Sequence, residues 1–333
     1  MRVFISGFGT VGQGVVELIT MKSAFLNGVN GEDVTIVGIM DSKSYAVNQK
    51  GVCSLMVLGK KKNDGRCSDI LRNGMEGKEI MDMVDFDVLI ECTPTNIDNG
   101  GEGLKNIEYA LSKGKHVITV NKGPLALKFK ELMDIADRNG CIFRYEGSVG
   151  GAMPIINLCN EGLAGQKIRS ILGIFNGTCN FILSRMDSGM PFEQALKEAQ
   201  QLGYAEADPT YDIKGIDSAC KVTILANSVF GRNVTIKDVS IKGVDTITTD
   251  AISLAKDHGM VIRLIGEVSD DKLEVSPRLI PEGHPLSIRG TLNTAVVQTD
   301  FAGPITVSGR GAGRSETASA IVSDLIYILK AQK

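Results

Sequence analysis

Two charged residues, Asp217 and Lys221, lie four positions apart in the otherwise apolar segment 215–230. The pattern predicts a helix closed by Gly231, and at about 100° per residue both side chains share one face of it. A solvated ion pair at this spacing stabilises a helix by only about 0.2–0.5 kcal/mol, which is a small gain for burying two charges. We therefore expect this face to line a cleft.

The residue types around this helix predict acid–base chemistry next to an amino group. Lysine can transfer the proton of a substrate hydroxyl, as a hydride moves to a cofactor, where burial lowers its pKa towards neutrality. Three carboxylates could bind a cationic amino group nearby: Glu206, Asp212 and Asp217. The pattern therefore favours a small amino-acid substrate over one that carries only carboxylates.

A redox cofactor is indicated at the N-terminus. A strand predicted over residues 1–6 runs into a GxGxxG motif at 7–12, and a helix is predicted from 11 to about 25. In this context the glycines allow a tight turn and the approach of a pyrophosphate to the helix N-terminus. The motif predicts dinucleotide binding by Gly7, Phe8, Gly9, Thr10, Val11 and Gly12. The alternative is a glycine-rich turn without a ligand.

Asp41 ends the second predicted strand, 34–40, and is the candidate for binding the adenosine ribose. An acid here accepts hydrogen bonds from the ribose hydroxyls and favours NAD over NADP. It follows Gly12 by more than the usual ~20 residues, and we expect a loop at 27–33 to absorb the excess. Lys43 could neutralise a 2′-phosphate, so NADP stays possible, and Asp41 could also be an ordinary turn residue.

Strands and helices alternate as far as residue 145, which predicts a Rossmann-type, doubly wound parallel sheet. Ligands of such sheets lie beyond the carboxyl ends of the strands. Thr93 and Lys122 occupy this position after the strands predicted over 87–91 and 116–120. Both are therefore candidates for the site, although a lysine at a strand end is often merely solvated.

The second half of the chain has a different pattern, which predicts an α+β domain for substrate binding and dimerisation. The strands predicted over 273–280 and 294–300 look antiparallel and exposed on one face. The predicted boundaries are 1–147 for the dinucleotide-binding domain, 148–308 for the substrate domain and 309–333 for a C-terminal segment. We expect the helix of this last segment to pack back on the first domain.

Two glycine-rich stretches are further candidates for ligand binding. Residues 146–154 could direct several backbone carbonyls, with Glu146, at a monovalent cation; the alternative is a hinge between domains. Residues 309–313 precede the last helix and could approach an anion or a cofactor edge. The alternative there is a flexible linker with a helix cap.

Composition disfavours several classes of function. The net charge is −3, Trp is absent, and 60–62 is the only basic block, so nucleic-acid binding is not expected. No apolar run has the ~20 residues of a membrane span, and no signal peptide is evident. Seven scattered cysteines without a CxxC pair are typical of reduced thiols. We expect a cytoplasmic protein.

The segment LGYAEADPTYDIKGIDSACK, residues 202–221, resembles the substrate and catalytic segment of the homoserine dehydrogenase family, in its short form without a regulatory domain. Over nearly the whole chain, further motifs follow in the family's order: ECTPT at 91–95, VNKGPLA at 120–126, YEGSVGGAMP at 145–154, FNGTCNFIL at 175–183 and the glycine loop at 309–313. One departure is Arg310, where the family commonly has proline.

The resemblance implies a reaction and a set of residue roles. The reaction is the reversible NAD(P)-dependent interconversion of L-homoserine and L-aspartate 4-semialdehyde, which leads to threonine, isoleucine and methionine. Lys221 would be the acid/base, and Lys122 would polarise the reacting oxygen. The substrate would be bound by Glu206, Asp212, Asp217 and Thr178. Further cofactor contacts would come from Thr93, Lys122, Gly203 and Gly313.

The resemblance also implies a sodium ion near the domain hinge and a homodimer. The ion would be bound by Glu146 and by the carbonyls of Val149, Gly151 and Met153. Because no regulatory domain is seen up to Lys333, threonine feedback through such a domain is not expected.

Two other classes of protein compete with this interpretation. An aldehyde dehydrogenase would need a cysteine nucleophile with a base, usually histidine. Cys92 and Cys179 are candidates, but none of the three histidines is near either in sequence. A sensor that binds NAD without turnover would have no use for the pair Asp217 and Lys221.

Overall fold

The computed structural model describes residues 1–332, which form two compact units. The first unit contains residues 1–148 and the chain from 313 onward, and the second contains residues 149–312. The last boundary falls after residue 312 rather than after 308. The reason is that residues 304–310, part of which we expected to be a loop, form a strand that belongs to the sheet of the second unit.

The first unit is built on a six-stranded sheet with the order β3-β2-β1-β4-β5-β6, parallel except for β3. Its strands are β1 Arg2–Ser6, β2 Thr35–Met40, β3 Tyr45–Val47, β4 Val88–Glu91, β5 His116–Thr119 and β6 Phe143–Arg144. Its helices are α1 Thr10–Met21, α2 Ser23–Asn30, α3 Ser54–Asp64, α4 Gly77–Met81, α5 Gly101–Ser112, α6 Lys122–Arg138 and the last helix of the chain, α13 Arg314–Ala331.

The strands of this unit are apolar because helices cover the sheet. Val3 and Ile5 of β1 are fully buried in one core with Ile321 and Leu325 of α13. A Cβ atom on Gly14 of α1 would lie 2.7 Å from the carbonyl oxygen of Arg314. Only glycine fits at this point, where α1 and α13 pack against each other.

The expected helix from residue 11 to 25 is in fact two helices, α1 and α2, separated at Lys22. The loop expected at 27–33 was also wrong in its first half, because α2 continues to Asn30. Leu26 is fully buried in the core, which holds α2 in place, and Gly31 ends the helix in the left-handed conformation, with φ 83°.

The second unit contains a six-stranded sheet with the order β12-β11-β7-β9-β10-β8. Its strands are antiparallel except that β8 pairs parallel with β10. The strands are β7 Ile168–Ile174, β8 Ser240–Ile241, β9 Met260–Ser269, β10 Leu273–Pro281, β11 Leu292–Thr299 and β12 Pro304–Arg310. The helices are α7 Ile155–Asn157, followed by a π-turn at Leu158–Gly162, α8 Gly177–Met186, α9 Phe192–Gln201, α10 Thr210–Ile213, α11 Ile216–Phe230 and α12 Thr249–Asp257.

Helix α11 packs closely on this sheet. A Cβ atom on Gly266 of β9 would lie 2.8 Å from the side chains of both Phe175 and Val222, so glycine makes the close approach possible. The α/β fold class, with a Rossmann-type unit and a second unit, is confirmed. Among residues 1–332, no helix combines the length and the apolar character needed to cross a bilayer.

Candidate active site

Lys221, the candidate acid/base, belongs to the second unit. It lies in the middle of α11 and is only 7% exposed. Its Nζ donates to Oδ2 of Asp217, 2.7 Å away, and to the carbonyl oxygen of Phe175, 2.6 Å away. The ammonium group therefore has a fixed position, set by its own helix on one side and by the end of β7 on the other.

Asn176 brings the two predicted carboxylates together. Its Nδ2 donates to Asp212 Oδ1 at 2.6 Å and to Asp217 Oδ2 at 3.0 Å. Its Oδ1 accepts from the backbone N–H of Cys179 at 2.8 Å, which makes Asn176 the N-cap of α8. One side chain thus starts a helix and holds two like charges side by side.

The proximity of these carboxylates affects Asp212. Burial raises its pKa, the negative charge of Asp217 raises it further, and Asn176 and Lys221 only partly oppose the change. Asp212 therefore gains a proton at a higher pH than an ordinary aspartate does.

Asn293 is a member of this cluster that the sequence analysis missed. It is fully buried at the start of β11, and its Nδ2 donates to the carbonyl oxygen of Phe175 at 3.2 Å. The same oxygen accepts from Lys221. A Cβ atom on Gly311 would lie 2.2 Å from the amide group of Asn293, so this glycine leaves room for the amide. Asn293 lies just before the strand predicted over 294–300, so no local pattern marks it as part of a site.

The remaining predicted residues of the second unit are two substrate residues, Thr178 and Glu206, and the cofactor contact Gly203. The Thr178 hydroxyl donates to the backbone oxygen of Tyr204 at 2.7 Å. Gly203 is exposed and has a left-handed φ of 74°. Glu206 is exposed, and its side chain has no hydrogen-bond partner in the part of the chain that the structure describes. Glu206 is therefore outside the hydrogen-bonded cluster.

In the first unit the GxGxxG motif lies between β1 and α1, as the sequence predicts. A Cβ atom on Gly7 (φ 90°) would lie 2.5–2.6 Å from the backbone of Cys92 and Thr93, and one on Gly12 would lie 2.1 Å from the oxygen of Gly7. Gly9, by contrast, has no atom of the described residues, its two chain neighbours aside, within 4 Å of its Cβ position. Protein packing requires the outer glycines, whereas the middle one leaves open space where a ligand can approach the backbone.

The other residues of this motif are placed by the start of α1. Phe8 is fully buried, Thr10 is the first residue of the helix, and Val11 is half-buried. The strand order reverses between β1 and β4, which is where doubly wound sheets bind their ligands.

The side chain of Asn121 connects Thr93, after β4, with the start of α6, after β5. Asn121 Nδ2 donates to Thr93 Oγ1 at 3.1 Å, and Asn121 Oδ1 accepts from the N–H of Gly123 at 3.1 Å. Asn121 thereby caps α6, of which Lys122 is the first residue. Below them the buried carboxylate of Glu91 accepts from the N–H of Thr93 at 2.7 Å.

Asp41 is already engaged by protein groups. Its Oδ1 accepts from the N–H groups of Lys43 and Ser44, each at 2.8 Å, and its Oδ2 accepts from Lys61 Nζ at 2.6 Å. Burial opposes ionisation, but these donors hold the pKa of Asp41 below its usual value. Lys61 was missed because its distance in sequence from Asp41 hides the contact.

The predicted sodium ligands lie on both sides of the boundary between the units. Glu146 is buried in a 3₁₀ turn, Glu146–Ser148, of the first unit. Val149, Gly151 and Met153 belong to the second unit, and Gly151 has a left-handed φ of 58°. No cluster of three or more His, Cys, Asp or Glu side chains suited to a metal exists in residues 1–332. A site of carbonyl oxygens stays a prediction.

Gly313 precedes α13 with φ 138°. The carboxylate of Glu316 lies against it, because a Cβ atom on Gly313 would be 2.2 Å from Glu316 Oε2. A carboxylate of the first turn thus lies beside the N-terminus of α13.

The thiols of the competing cysteine enzyme are not activated. Burial raises the pKa of Cys92 and of Cys179 well above the ordinary value. The Cys179 sulfur lies 3.2 Å from the backbone oxygen of Asp212. Neither environment is the electropositive one that favours a thiolate nucleophile.

Comparisons with known proteins agree with this geometry. A family model described as the NAD binding domain of homoserine dehydrogenase matches residues 7–146, and one described as homoserine dehydrogenase matches residues 154–326. The chain is 47% identical to the homoserine dehydrogenase of Methanocaldococcus jannaschii, over 100% of both chains. The chain belongs to the homoserine dehydrogenase family.

Solved homoserine dehydrogenases have the same fold. A crystal structure from Archaeoglobus fulgidus is 48% identical, with a TM-score of 0.91 over 99% of each chain. A hyperthermophilic archaeal homoserine dehydrogenase in complex with NADPH is 29% identical, with a TM-score of 0.83 over 98% of this chain and 96% of the other. The resemblance found in the sequence, including NAD(P)-dependent oxidoreductase activity, is confirmed.

Proposed function

We propose that the enzyme interconverts L-homoserine and L-aspartate 4-semialdehyde with Lys221 as the acid/base. The observation that carries this proposal is the buried ammonium group of Lys221, held between Asp217 and the Phe175 carbonyl oxygen. A buried, fixed proton donor with two carboxylates beside it fits a substrate that has an amino group and a reacting oxygen.

In the reduction of the semialdehyde, Lys221 donates a proton to the aldehyde oxygen as that oxygen becomes an alkoxide. In the oxidation of homoserine, the neutral amine of Lys221 accepts the hydroxyl proton. The nicotinamide, when bound, supplies or accepts the hydride. Asp212 and Asp217 attract the substrate ammonium, and exposed Glu206 is free to contact it as well.

The first unit supplies the cofactor site. The open backbone at Gly9 and the N-terminus of α1 suit the pyrophosphate. Thr93 and Lys122 follow β4 and β5, beyond the carboxyl ends of the strands, and we place the nicotinamide half of the cofactor beside them. Gly203 and Gly313 are proposed as further contacts.

We expect Lys61 to control the choice between NAD and NADP. Lys61→Ala would free Asp41 Oδ2 for a ribose hydroxyl and remove a cation that can pair with a 2′-phosphate. The ratio of kcat/KM with NAD to that with NADP should rise about tenfold, since one charge-assisted hydrogen bond is worth about 1.5–3 kcal/mol. Steady-state kinetics with both cofactors measures it. Lys62→Ala, at an exposed neighbouring position, should leave the ratio unchanged. If wild type, Lys61→Ala and Lys62→Ala had the same ratio of kcat/KM with NAD to kcat/KM with NADP, Lys61 would not determine the cofactor preference.

The reaction itself is tested by following NAD(P)H absorbance with purified protein and L-homoserine, and in reverse with L-aspartate 4-semialdehyde. Turnover with either cofactor is expected. Binding of NAD(P)H without turnover would support the sensor instead.

A homodimer is proposed from the sheet of the second unit. Leu172, Val296 and Thr306 lie side by side on neighbouring strands, on the face opposite Gly173 and Ala295. Leu172 and Val296 are half-buried, and Thr306 is exposed. A second copy of this face is the proposed partner. Sedimentation should give a dimer for the wild type and a monomer for Leu172→Asp.

A sodium ion is proposed at Glu146 and the carbonyls of Val149, Gly151 and Met153. The support is chemical, since buried Glu146 and a glycine turn provide oxygen ligands, which suit a hard cation. Thermal stability should increase when sodium chloride replaces choline chloride at equal ionic strength. No change in Tm would oppose the proposal.

A further inference from the structure

Glu91 is a buried carboxylate to which the proposed reaction assigns no role. It is the last residue of β4 and is fully buried. No lysine, arginine or histidine forms an ion pair with it among residues 1–332. An unpaired buried carboxylate destabilises a fold unless hydrogen bonds compensate it.

The groups that face Glu91 stabilise its ionised form. Oε1 accepts from the N–H of Thr93 at 2.7 Å and from the Thr93 hydroxyl, and Oε2 accepts from Asn106 Nδ2 at 3.3 Å. Asn106 Nδ2 also donates to the hydroxyl oxygen of Ser6 at 3.0 Å. Both carboxylate oxygens thus accept hydrogen bonds. The amide of a glutamine at this position would turn its own N–H donors towards Thr93 or Asn106, which are donors themselves. Burial nevertheless raises the pKa of Glu91.

The position of this charge in the fold connects it with the cofactor. Gly7, the first glycine of the GxGxxG turn, touches the backbone of Cys92 and Thr93, so Glu91 lies directly below the point where the strand order reverses. That crevice is where a doubly wound sheet binds its dinucleotide. From Thr93 the hydrogen bonds continue through Asn121 to the start of α6.

We propose that Glu91 is a positioning residue whose negative charge favours the oxidised, cationic nicotinamide over the neutral reduced form. The inference rests on the proposed function, because it places the nicotinamide next to Thr93. Glu91 hydrogen-bonds to Thr93, so only Thr93 would separate its charge from the nicotinamide ring. In a low dielectric, that charge attracts the cationic oxidised ring and leaves the neutral reduced ring almost unaffected. A role that is only structural would change the binding of both forms alike.

The test is to compare the affinities of Glu91→Gln and wild type for the two forms of the cofactor. The chain has no Trp, so NADH fluorescence reports binding without interference, and NAD⁺ is measured by displacement. NADP⁺ and NADPH are run in parallel. In Glu91→Gln the Kd for the oxidised form should rise about tenfold, while that for the reduced form stays within about twofold. Equal changes in both values, or no change in either, would overturn the proposal.

Two further variants keep the test decisive. Glu108→Gln removes a half-exposed carboxylate of α5, which pairs with Lys128, and should change neither Kd. Glu91→Gln combined with Asn106→Asp moves the charge to the neighbouring side chain and restores donor–acceptor matching. In this double variant, the ratio of the Kd for the oxidised cofactor to the Kd for the reduced cofactor should return to within about twofold of wild type. The double variant can be measured even if Glu91→Gln alone does not fold. A ratio that remains shifted would contradict the charge argument. If wild type binds no cofactor at all, the proposed function fails instead.

Discussion

Replacing Lys221 by methionine is expected to lower kcat with L-homoserine by about 10²–10⁴-fold, the usual contribution of a general acid–base group. Methionine is close to lysine in length and apolar, so it suits a position that is 7% exposed. What is lost is the proposed proton-transfer group, while the side chains of the first unit, which contains the NAD-binding domain, are unchanged. NAD(P)H absorbance measures turnover, and NADH fluorescence should show unchanged cofactor affinity.

The variant leaves Asp217 without its ammonium partner, so its fold must be checked by circular dichroism and thermal unfolding. Lys214→Met is the matched control, because Lys214 is an exposed lysine just before α11 that pairs with Asp245. It should keep wild-type turnover. A Lys221→Met enzyme with a native fold and turnover within a few-fold of wild type would mean that another group moves the proton.

Local patterns were enough to predict the parts of the site that lie close together in sequence. The GxGxxG turn could be assigned because strand, turn and helix follow one another directly. Asp217 and Lys221 could be paired because helix periodicity places positions i and i+4 on one face. In both cases the geometry is local, and the secondary structure alone brings the residues together.

The rest of the site depends on contacts that no local pattern encodes. Asn293 meets the Phe175 carbonyl oxygen because β11 pairs with β7 in a particular register. Lys61 reaches Asp41 only because α3 packs near the end of β2. In the sequence, Glu91 is only the last residue of the strand predicted over 87–91. Its hydrogen bonds to Thr93 and Asn106 become visible only in the structure. Tertiary structure decides all three.

The same limit explains the errors in the fold. Residues 309 and 310 belong to the glycine-rich stretch 309–313, which predicts a loop before the last helix. In the structure Gly309 pairs with Asn293 and Arg310 with Leu292, on an edge strand that tolerates such residues. Likewise α2 has few helix signals of its own, and the burial of Leu26 stabilises it.

Asp217→Asn is expected to reduce kcat/KM for homoserine by about 10²-fold, the effect typical of a misplaced catalytic group. The substitution keeps the shape of the side chain but removes the charge that holds the Lys221 ammonium and that we propose attracts the substrate amino group. Asn176 would also lose one of its two carboxylate acceptors. Steady-state kinetics should show a higher KM for homoserine together with a lower kcat.

The pH dependence of this variant separates an electrostatic role from a structural one. In the wild type, burial and then the charge of Asp217 raise the pKa of Asp212, so Asp212 loses its charge early as the pH falls, and the KM for homoserine should rise. Without the charge of Asp217, the pKa of Asp212 falls, and the rise in KM should move to lower pH in Asp217→Asn. Asp208→Asn, an exposed position in the same segment, should keep the wild-type profile. An unshifted profile in Asp217→Asn would show that the two carboxylates act independently, even if activity is lost.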